Sequence, residues 1–145
     1  MSVYHGENPG ITPVLANDNL SLDAAASEQC YITEVSASGE STATTAMRTR
    51  FTRSASGATP VAGNVQKHRT NSPTNLVNFV TSWTTQPTLT AGSLLHPSWN
   101  SHGGVILWKA TPGDDEWEFI GASQFSCRNA VGLGVSSYGI RWREA

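Results

Sequence analysis

The segment Met47-Arg-Thr-Arg-Phe-Thr52 decides the fold class, because its side chains alternate with a period of two. One side of the segment carries Met47, Thr49 and Phe51, and the other carries Arg48, Arg50 and Thr52. This alternation is typical of a β-strand that has one face in a core and the other in solvent. The sequence therefore predicts a half-buried strand over 43–54.

The composition of the whole chain also favours strands and turns over helices. Its 145 residues suit one domain, and only 14% of them are charged, against about 25% in an average soluble domain. Serine, threonine, asparagine and glycine are abundant instead, whereas helices favour Ala, Leu, Glu, Lys and Arg. The net charge of −2 does not provide the overall positive charge that is typical of nucleic-acid-binding proteins. No apolar run is long enough for a membrane span, and the first residues lack the pattern of a secretory signal.

Other segments repeat the strand pattern at intervals of about ten residues. The segment 28–36 and the strand at 43–54 predict one hairpin. Segments 105–109 and 116–120 flank a Pro-Gly-Asp-Asp turn and predict a second. Seven or eight such strands predict an all-β, single-domain antiparallel β-sandwich, jelly-roll-like in form.

The first 27 residues have a different character. Pro9, Gly10 and Pro13 interrupt them, and neither the helical nor the strand period persists. We therefore expect an extended N-terminal arm over 1–27 and a β-sandwich domain over 28–145. Such an arm would lie along its own domain or on a neighbouring subunit.

Patterns for catalysis and metal binding are weak. His96 and His102 lack the tight spacing of metal-ligand pairs. The carboxylates at 114–118 could supply oxygen ligands to calcium, but a solvated turn is favoured because there is no EF-hand pattern. Ser123 follows Gly121 but lacks the second glycine of a nucleophile elbow. We expect no catalytic residue, no bound metal and no cofactor.

The two cysteines, Cys30 and Cys127, are too few for a disulfide framework. They lie in separate predicted strands and could be neighbours across a sheet. Two small buried thiols are the favoured interpretation, and a disulfide remains the alternative.

Arginine placement points to contact surfaces. Arg48, Arg50 and Arg53 lie on one predicted strand, and Arg141 and Arg143 share one face of another. Arginine binds carboxylates in bidentate fashion and is enriched at protein interfaces. These five residues are therefore candidate contacts with a partner chain; a solvated face is the alternative. A nucleic-acid patch would need neighbouring aromatic residues, which the sequence does not supply.

Five tryptophans are many for this length. Trp99 lies in a turn-rich segment, where it is a candidate exposed aromatic contact, whereas core packing is favoured for Trp83. A stacking platform built from Trp99, Trp83 and the loop at 96–102 would suit a carbohydrate- or receptor-binding β-module of tail or fibre type.

The irregular segment through Asp23, the strand at 43–53 and the run at 121–144 together resemble small β-sandwich virion proteins of tailed phages. The resemblance is to the capsid decoration, or cement, type, and it is one of overall style. It implies self-association, often as trimers, and docking on a lattice of the major capsid protein or another virion protein. It also implies a place in the virion, assembled in the host cytoplasm, without catalysis. No motif transfers a binding residue.

The sequence thus predicts a non-enzymatic capsid decoration protein that makes contacts through its arm and its arginine-bearing strands. Neither a membrane nor direct nucleic-acid binding is expected. The carbohydrate- or receptor-binding module is the alternative. A small hydrolase ranks third, because no triad or metal site can be assembled from the sequence.

Overall fold

The computed structural model describes residues 2–25, 27–121 and 123–145, and these residues form strands, turns and loops without a helix. The strands are β1 (Ser2–Ile11), β2 (Asp18–Asp23), β3 (Gln29–Glu40), β4 (Ala46–Ala55), β5 (Ala58–Ala62), β6 (Val65–Lys67), β7 (Asn78–Thr85), β8 (Thr88–Leu89), β9 (Ser98–Asn100), β10 (His102–Lys109), β11 (Trp117–Ile120), β12 (Gln124–Val131) and β13 (Ser136–Glu144). No helix in these ranges is long and apolar enough to cross a membrane.

The strands form two antiparallel sheets that pack face to face. The first sheet has the order β10-β3-β13-β1-β6, and β11 also pairs with β3. The second has the order β5-β7-β2-β12-β4-β8, and β9 also pairs with β4. The buried apolar side chains of both sheets form one core cluster between them. The predicted all-β sandwich is confirmed.

Strands from opposite ends of the chain pair with each other. Ser2 lies opposite Glu144, and Leu22 lies opposite Phe125. The successive pairs are β1 with β13, β2 with β12, β3 with β10 and β11, and β4 with β8 and β9. These pairs alternate between the two sheets. A long antiparallel ribbon rolled up in this way is a jelly roll, and β5, β6 and β7 extend it at the far ends of both sheets.

Neither predicted hairpin forms. β3 and β4 belong to different sheets, so the turn between them crosses the sandwich. β10 and β11 lie end to end along β3, where Lys109 faces Glu34 and Trp117 faces Ile32. The prediction assumed that consecutive strands pair, as they most often do. In the rolled ribbon, the partner of each strand comes from the other half of the chain.

The N-terminal segment is part of the sandwich, so the predicted arm over 1–27 is wrong. β1 lies between β13 and β6, and β2 lies between β12 and β7. Tyr4 is fully buried and stacks on Trp142 with ring centroids 5.8 Å apart. The strand period was hidden because Gly6 occupies an inward position, where an added Cβ would lie 2.8 Å from the Phe79 ring. A glycine there leaves room for the ring.

The core is rich in aromatic rings. Phe125, fully buried, lies near Phe51, Phe119 and Trp117, with centroid distances of 6.3, 5.5 and 5.9 Å. Such pairs add to the stabilisation that comes from buried area alone. The inward positions of β4, Met47, Thr49 and Phe51, are buried, as the alternation predicted.

Cys30 and Cys127 are both free and buried. Burial raises the pKa of each thiol well above its ordinary value, since the low-dielectric core disfavours the thiolate. The prediction of two small buried thiols is confirmed.

Replacing Tyr4 tests whether β1 is part of the core. Tyr4→Ala should lower the free energy of unfolding by about 3–5 kcal/mol, the cost typical of removing a large buried ring. Val3→Ala, a half-buried neighbour on the other face, is the matched control and should cost much less. Chemical denaturation followed by circular dichroism measures both variants. Equal and small losses would mean that the segment is a dispensable arm.

Candidate functional site

The arginines of β4 have two different environments. Arg48 is exposed and Arg50 is half-buried on the strand face that points away from the core. Arg53 lies opposite Phe125 in the register, and its guanidinium lies 5.3 Å from the centroid of the Phe119 ring. Its Nη2 donates to the Glu118 carbonyl over 3.2 Å. Arg53 therefore bridges the two sheets, and Arg48 and Arg50 form the outward basic site.

Arg50 holds the loop next to β4. Its Nε donates to Ser93 Oγ over 2.8 Å, and its Nη2 donates to the carbonyls of Thr90, over 2.9 Å, and Gly92. These acceptors are neutral, so they orient the guanidinium without cancelling its charge. Arg48 donates from Nε to Ser98 Oγ over 3.3 Å. Within the described ranges, no carboxylate forms an ion pair with either arginine.

A neutral histidine lies near the two arginines of this face. Burial, together with the charges of Arg48 and Arg50, lowers the pKa of His96 below its ordinary value. The two arginines repel a third positive charge, so His96 favours its neutral form. The outward face of β4 is thus a fixed positive surface with hydroxyl groups at its margin, suited chemically to a carboxylate-bearing partner.

Arg143, by contrast, is paired within the chain. Its Nε donates to both carboxylate oxygens of Glu116, over 2.9 and 3.0 Å, and its Nη2 also donates to Glu116. The guanidinium lies 3.8 Å from the centroid of the Tyr31 ring. Hydrogen bonding from Arg143 holds the pKa of Glu116 below its ordinary value. This bidentate pairing fits the usual chemistry of arginine, but the partner is internal.

Arg141 also has an internal partner, because its Nη1 lies 3.4 Å from Glu34 Oε2. The sequence grouped Arg141 and Arg143 with the β4 arginines as contacts for another chain. The structure separates them from the β4 arginines, because each is paired within the chain: Arg141 with Glu34 of β3, and Arg143 with Glu116 of the turn before β11. We therefore exclude both from the candidate site.

Trp99 does not provide an exposed aromatic contact, so that prediction is wrong. β9 pairs with β4 so that Trp99 lies opposite Met47, an inward position. Only 9% of Trp99 is exposed, and its Nε1 donates to Thr49 Oγ1 over 3.1 Å. Trp83 is also buried, as expected, and its Nε1 donates to Ser21 Oγ over 2.9 Å. A stacking platform made from these two rings is excluded.

A buried polar cluster around Asp18 was missed by the sequence analysis. The Asp18 side chain is 1% exposed and accepts hydrogen bonds from Ser21 Oγ, Ser126 Oγ and Arg128 Nε, over 2.6, 2.5 and 2.6 Å. Ser126 Oγ also lies 2.7 Å from Ser54 Oγ. The cluster crosslinks β2, β12 and β4. No local pattern could reveal it, because its members are separated by most of the chain.

The remaining candidates for chemistry have structural partners. The Asp115 Oδ1 atom accepts from the Thr111 amide over 2.5 Å, and Glu116 is bound by Arg143. His102 Nδ1 lies 2.9 Å from the Ser41 carbonyl oxygen. The described part of the chain contains no group of three or more His, Cys, Asp or Glu residues placed to hold a metal ion. Asp115 and Glu116 of this turn thus serve a local hydrogen bond and an ion pair.

Comparison with protein-family models, with curated proteins and with solved structures finds no match to this chain. Its function is therefore argued from the geometry of its surfaces.

Removing the charge of Asp18 should destabilise the fold strongly. Asp18→Asn leaves the Arg128 guanidinium, 13% exposed, without its counter-ion, at a cost of about 3–5 kcal/mol. Asp23→Asn, in the same strand, affects one hydrogen bond to Gln124 and should cost about 1 kcal/mol or less. Urea denaturation compares the two variants. Similar losses for both would show that the ion pair adds nothing beyond an ordinary hydrogen bond.

The Glu116–Arg143 pair should make stability depend on pH. The folded-state pKa of Glu116 lies below its ordinary value of 4.5, so the pair stabilises the fold above that pH. Its contribution is lost as the pH falls through the folded pKa, since the unfolded chain binds the proton more readily. Glu116→Gln should flatten the fall in thermal midpoint between about pH 5 and 3. Asp114→Asn, in the exposed turn, is the control and should show the same dependence of thermal midpoint on pH as the wild type. If Glu116→Gln also shows the wild-type dependence, the Glu116–Arg143 pair is not its source.

Proposed function

We propose that the protein is a non-enzymatic structural component of a virus particle, of the capsid decoration type. The observation that carries the proposal is the outward face of β4, where Arg48 and Arg50 stand without a carboxylate partner among the described residues. Arginines held on a strand lose little freedom on binding, so they suit a fixed contact with an acidic protein surface.

The fold supports the proposal but does not carry it. Jelly rolls occur in viral capsid domains, and also in lectins and cupins, so the fold by itself leaves the function open. The low charge content supports a role in packing against other protein surfaces. The internal pairing of Asp18 with Arg128 and of Glu116 with Arg143 also supports this role, because these charged groups stabilise the strands.

One hollow favours the second candidate function, a carbohydrate-binding module. A hollow of about 300 Å³ is lined by residues that include Asn8, Asn17, Asn19 and Gln86. Side-chain amides both donate and accept hydrogen bonds, so they suit a neutral sugar. A glycan array with wild type and Asn17→Ala tests this, and an array without any bound glycan removes the candidate.

Reversing the charge of Arg48 should weaken attachment to the particle. Mass spectrometry should detect the protein in virus particles whose capsid genes neighbour the gene for this chain. Purified protein should also co-sediment with such particles after they have been prepared without it. Arg48→Glu should weaken that binding at least about tenfold, or about 1.4 kcal/mol. The contact is charge-dependent, so added salt should also weaken it.

Arg69→Glu is the matched control, because Arg69 is exposed on a different part of the surface. It should bind particles as the wild type does. Absence of the protein from particles would overturn the proposal. Equal binding by Arg48→Glu and wild type would remove β4 as the docking face.

A further inference from the structure

The segment that precedes β9 continues the pairing of that strand with β4. Within β9, Ser98 lies opposite Arg48, and further along β4 an isolated bridge puts Leu95 opposite Phe51. Both pairs belong to one unbroken register, because a step of three residues along β4 is matched by three residues along the facing segment. Residue 96 therefore lies across from residue 50.

Two pairs of side chains consequently occupy the outward face of β4. Arg48 faces Ser98 in one pair, and Arg50 faces His96 in the other. Residues directly opposite each other in an antiparallel ladder have their side chains on the same face of the sheet. The two pairs are two residues apart along the strand, a separation of about 7 Å. We call these four residues the β4 quartet.

Many hydrogen-bond donors of the quartet are free to bind a partner. Arg48 uses only its Nε, on Ser98, and Arg50 uses its Nε and Nη2 on the loop at 90–93. Among the described residues, no acceptor is bound by either Nη of Arg48, by Nη1 of Arg50 or by the exposed ring of His96. The two Nη atoms of an arginine can hold one carboxylate through two parallel hydrogen bonds.

The charged groups that face His96 in the described structure are positive. Arg48 and Arg50 project beside it from β4, and the range 86–101 contains no other titratable side chain. Arg128 lies beyond Arg50 on β12 and already has an internal carboxylate partner. Burial and the two arginine charges lower the pKa of His96 below its ordinary value. An anion bound among these groups would oppose that effect, because a nearby negative charge favours the protonated ring.

From this arrangement we propose that the β4 quartet binds an extended acidic segment of the partner protein, in which two carboxylates are two residues apart. One carboxylate lies on Arg48 and Ser98, and the other lies on Arg50 and His96. His96 takes up a proton from the solvent as the segment binds, so docking is tighter at lower pH. The inference rests on the proposed function, because it specifies what the docking face recognises and how pH regulates it.

The spacing and surroundings of the quartet favour a protein segment as the ligand. Side chains at i and i+2 of an extended segment lie on one face about 7 Å apart, which matches the separation of the two pairs. Val131 of β12 lies opposite Arg48 and is 43% exposed, so an apolar side chain borders the quartet and suits the aliphatic part of such a segment. A nucleic acid would favour a longer run of positive charge, whereas the whole chain carries a net charge of −2.

Nuclear magnetic resonance with a synthetic peptide tests the inference. The probe is Ser-Glu-Val-Glu-Ser with both ends blocked, and the control peptide has glutamine in place of both glutamates. The glutamate peptide should shift the resonances of the quartet and raise the pKa of His96, whereas the glutamine peptide should do neither. Affinity should rise at least about threefold from about pH 7.5 to pH 5.5, because the complex binds the proton more readily than the free chain while glutamate stays ionised.

Three variants assign the effect to individual side chains. His96→Gln should bind the peptide at about pH 7.5 as the wild type does and should lose the increase in affinity at about pH 5.5. His68→Gln is the matched control, because His68 is also an exposed histidine whose pKa is lowered by burial and a nearby arginine, and it follows β6 of the other sheet. It should keep the wild-type pH dependence. Arg48→Gln should weaken binding at least about threefold at both pH values.

Absence of any shift in the quartet resonances would overturn the inference. So would a pH dependence that survives in His96→Gln, or a single-stranded oligonucleotide that binds the quartet more tightly than the peptide does. Particle binding that Arg48→Glu weakens but that does not change with pH would count against the inference and leave the proposed function in place. Peptide binding with the expected pH dependence, by a protein that is absent from particles, would count against the proposed function alone.

Discussion

Pairing between the two halves of the chain is the constraint on which the structure depends. β1 needs β13, and β2 needs β12, before either sheet has a centre. Each partner comes from the far end of the chain, so forming these pairs costs conformational entropy of the intervening chain before burial of the core offsets that cost. The stacking of Tyr4 on Trp142, which joins the first strand to the last, is one of the contacts that offset this entropy cost.

The same pairing divides the arginines into two groups with different roles. Antiparallel neighbours bring Glu34 to Arg141, and the turn that separates β10 from β11 brings Glu116 to Arg143. β4 borders β8 and β9, whose residues near it carry hydroxyls and carbonyls in place of carboxylates. The positive charge of Arg48 is therefore exposed and that of Arg50 half-buried, and no carboxylate among the described residues pairs with either.

The two outer faces are likewise products of the topology. The second sheet carries serines and Asp18 beneath Trp83, so its centre is closed by hydrogen bonds. On the outer face of the first sheet, by contrast, Val105 and Leu107 remain exposed to water.

Local alternation and composition predicted the strand content, the buried positions Met47, Thr49 and Phe51 of β4 and the burial of both cysteines, whereas Thr52, predicted on the solvent side, is buried. These follow from local alternation and composition, since the period of a strand is visible within six residues. The pairing of strands, the place of residues 2–23 in the sandwich and the burial of Trp99 depend on the tertiary structure. So were the partners of Arg143 and Asp18. Each of these depends on segments that lie far apart in the chain, and a local pattern holds no information about which distant strand will arrive beside it.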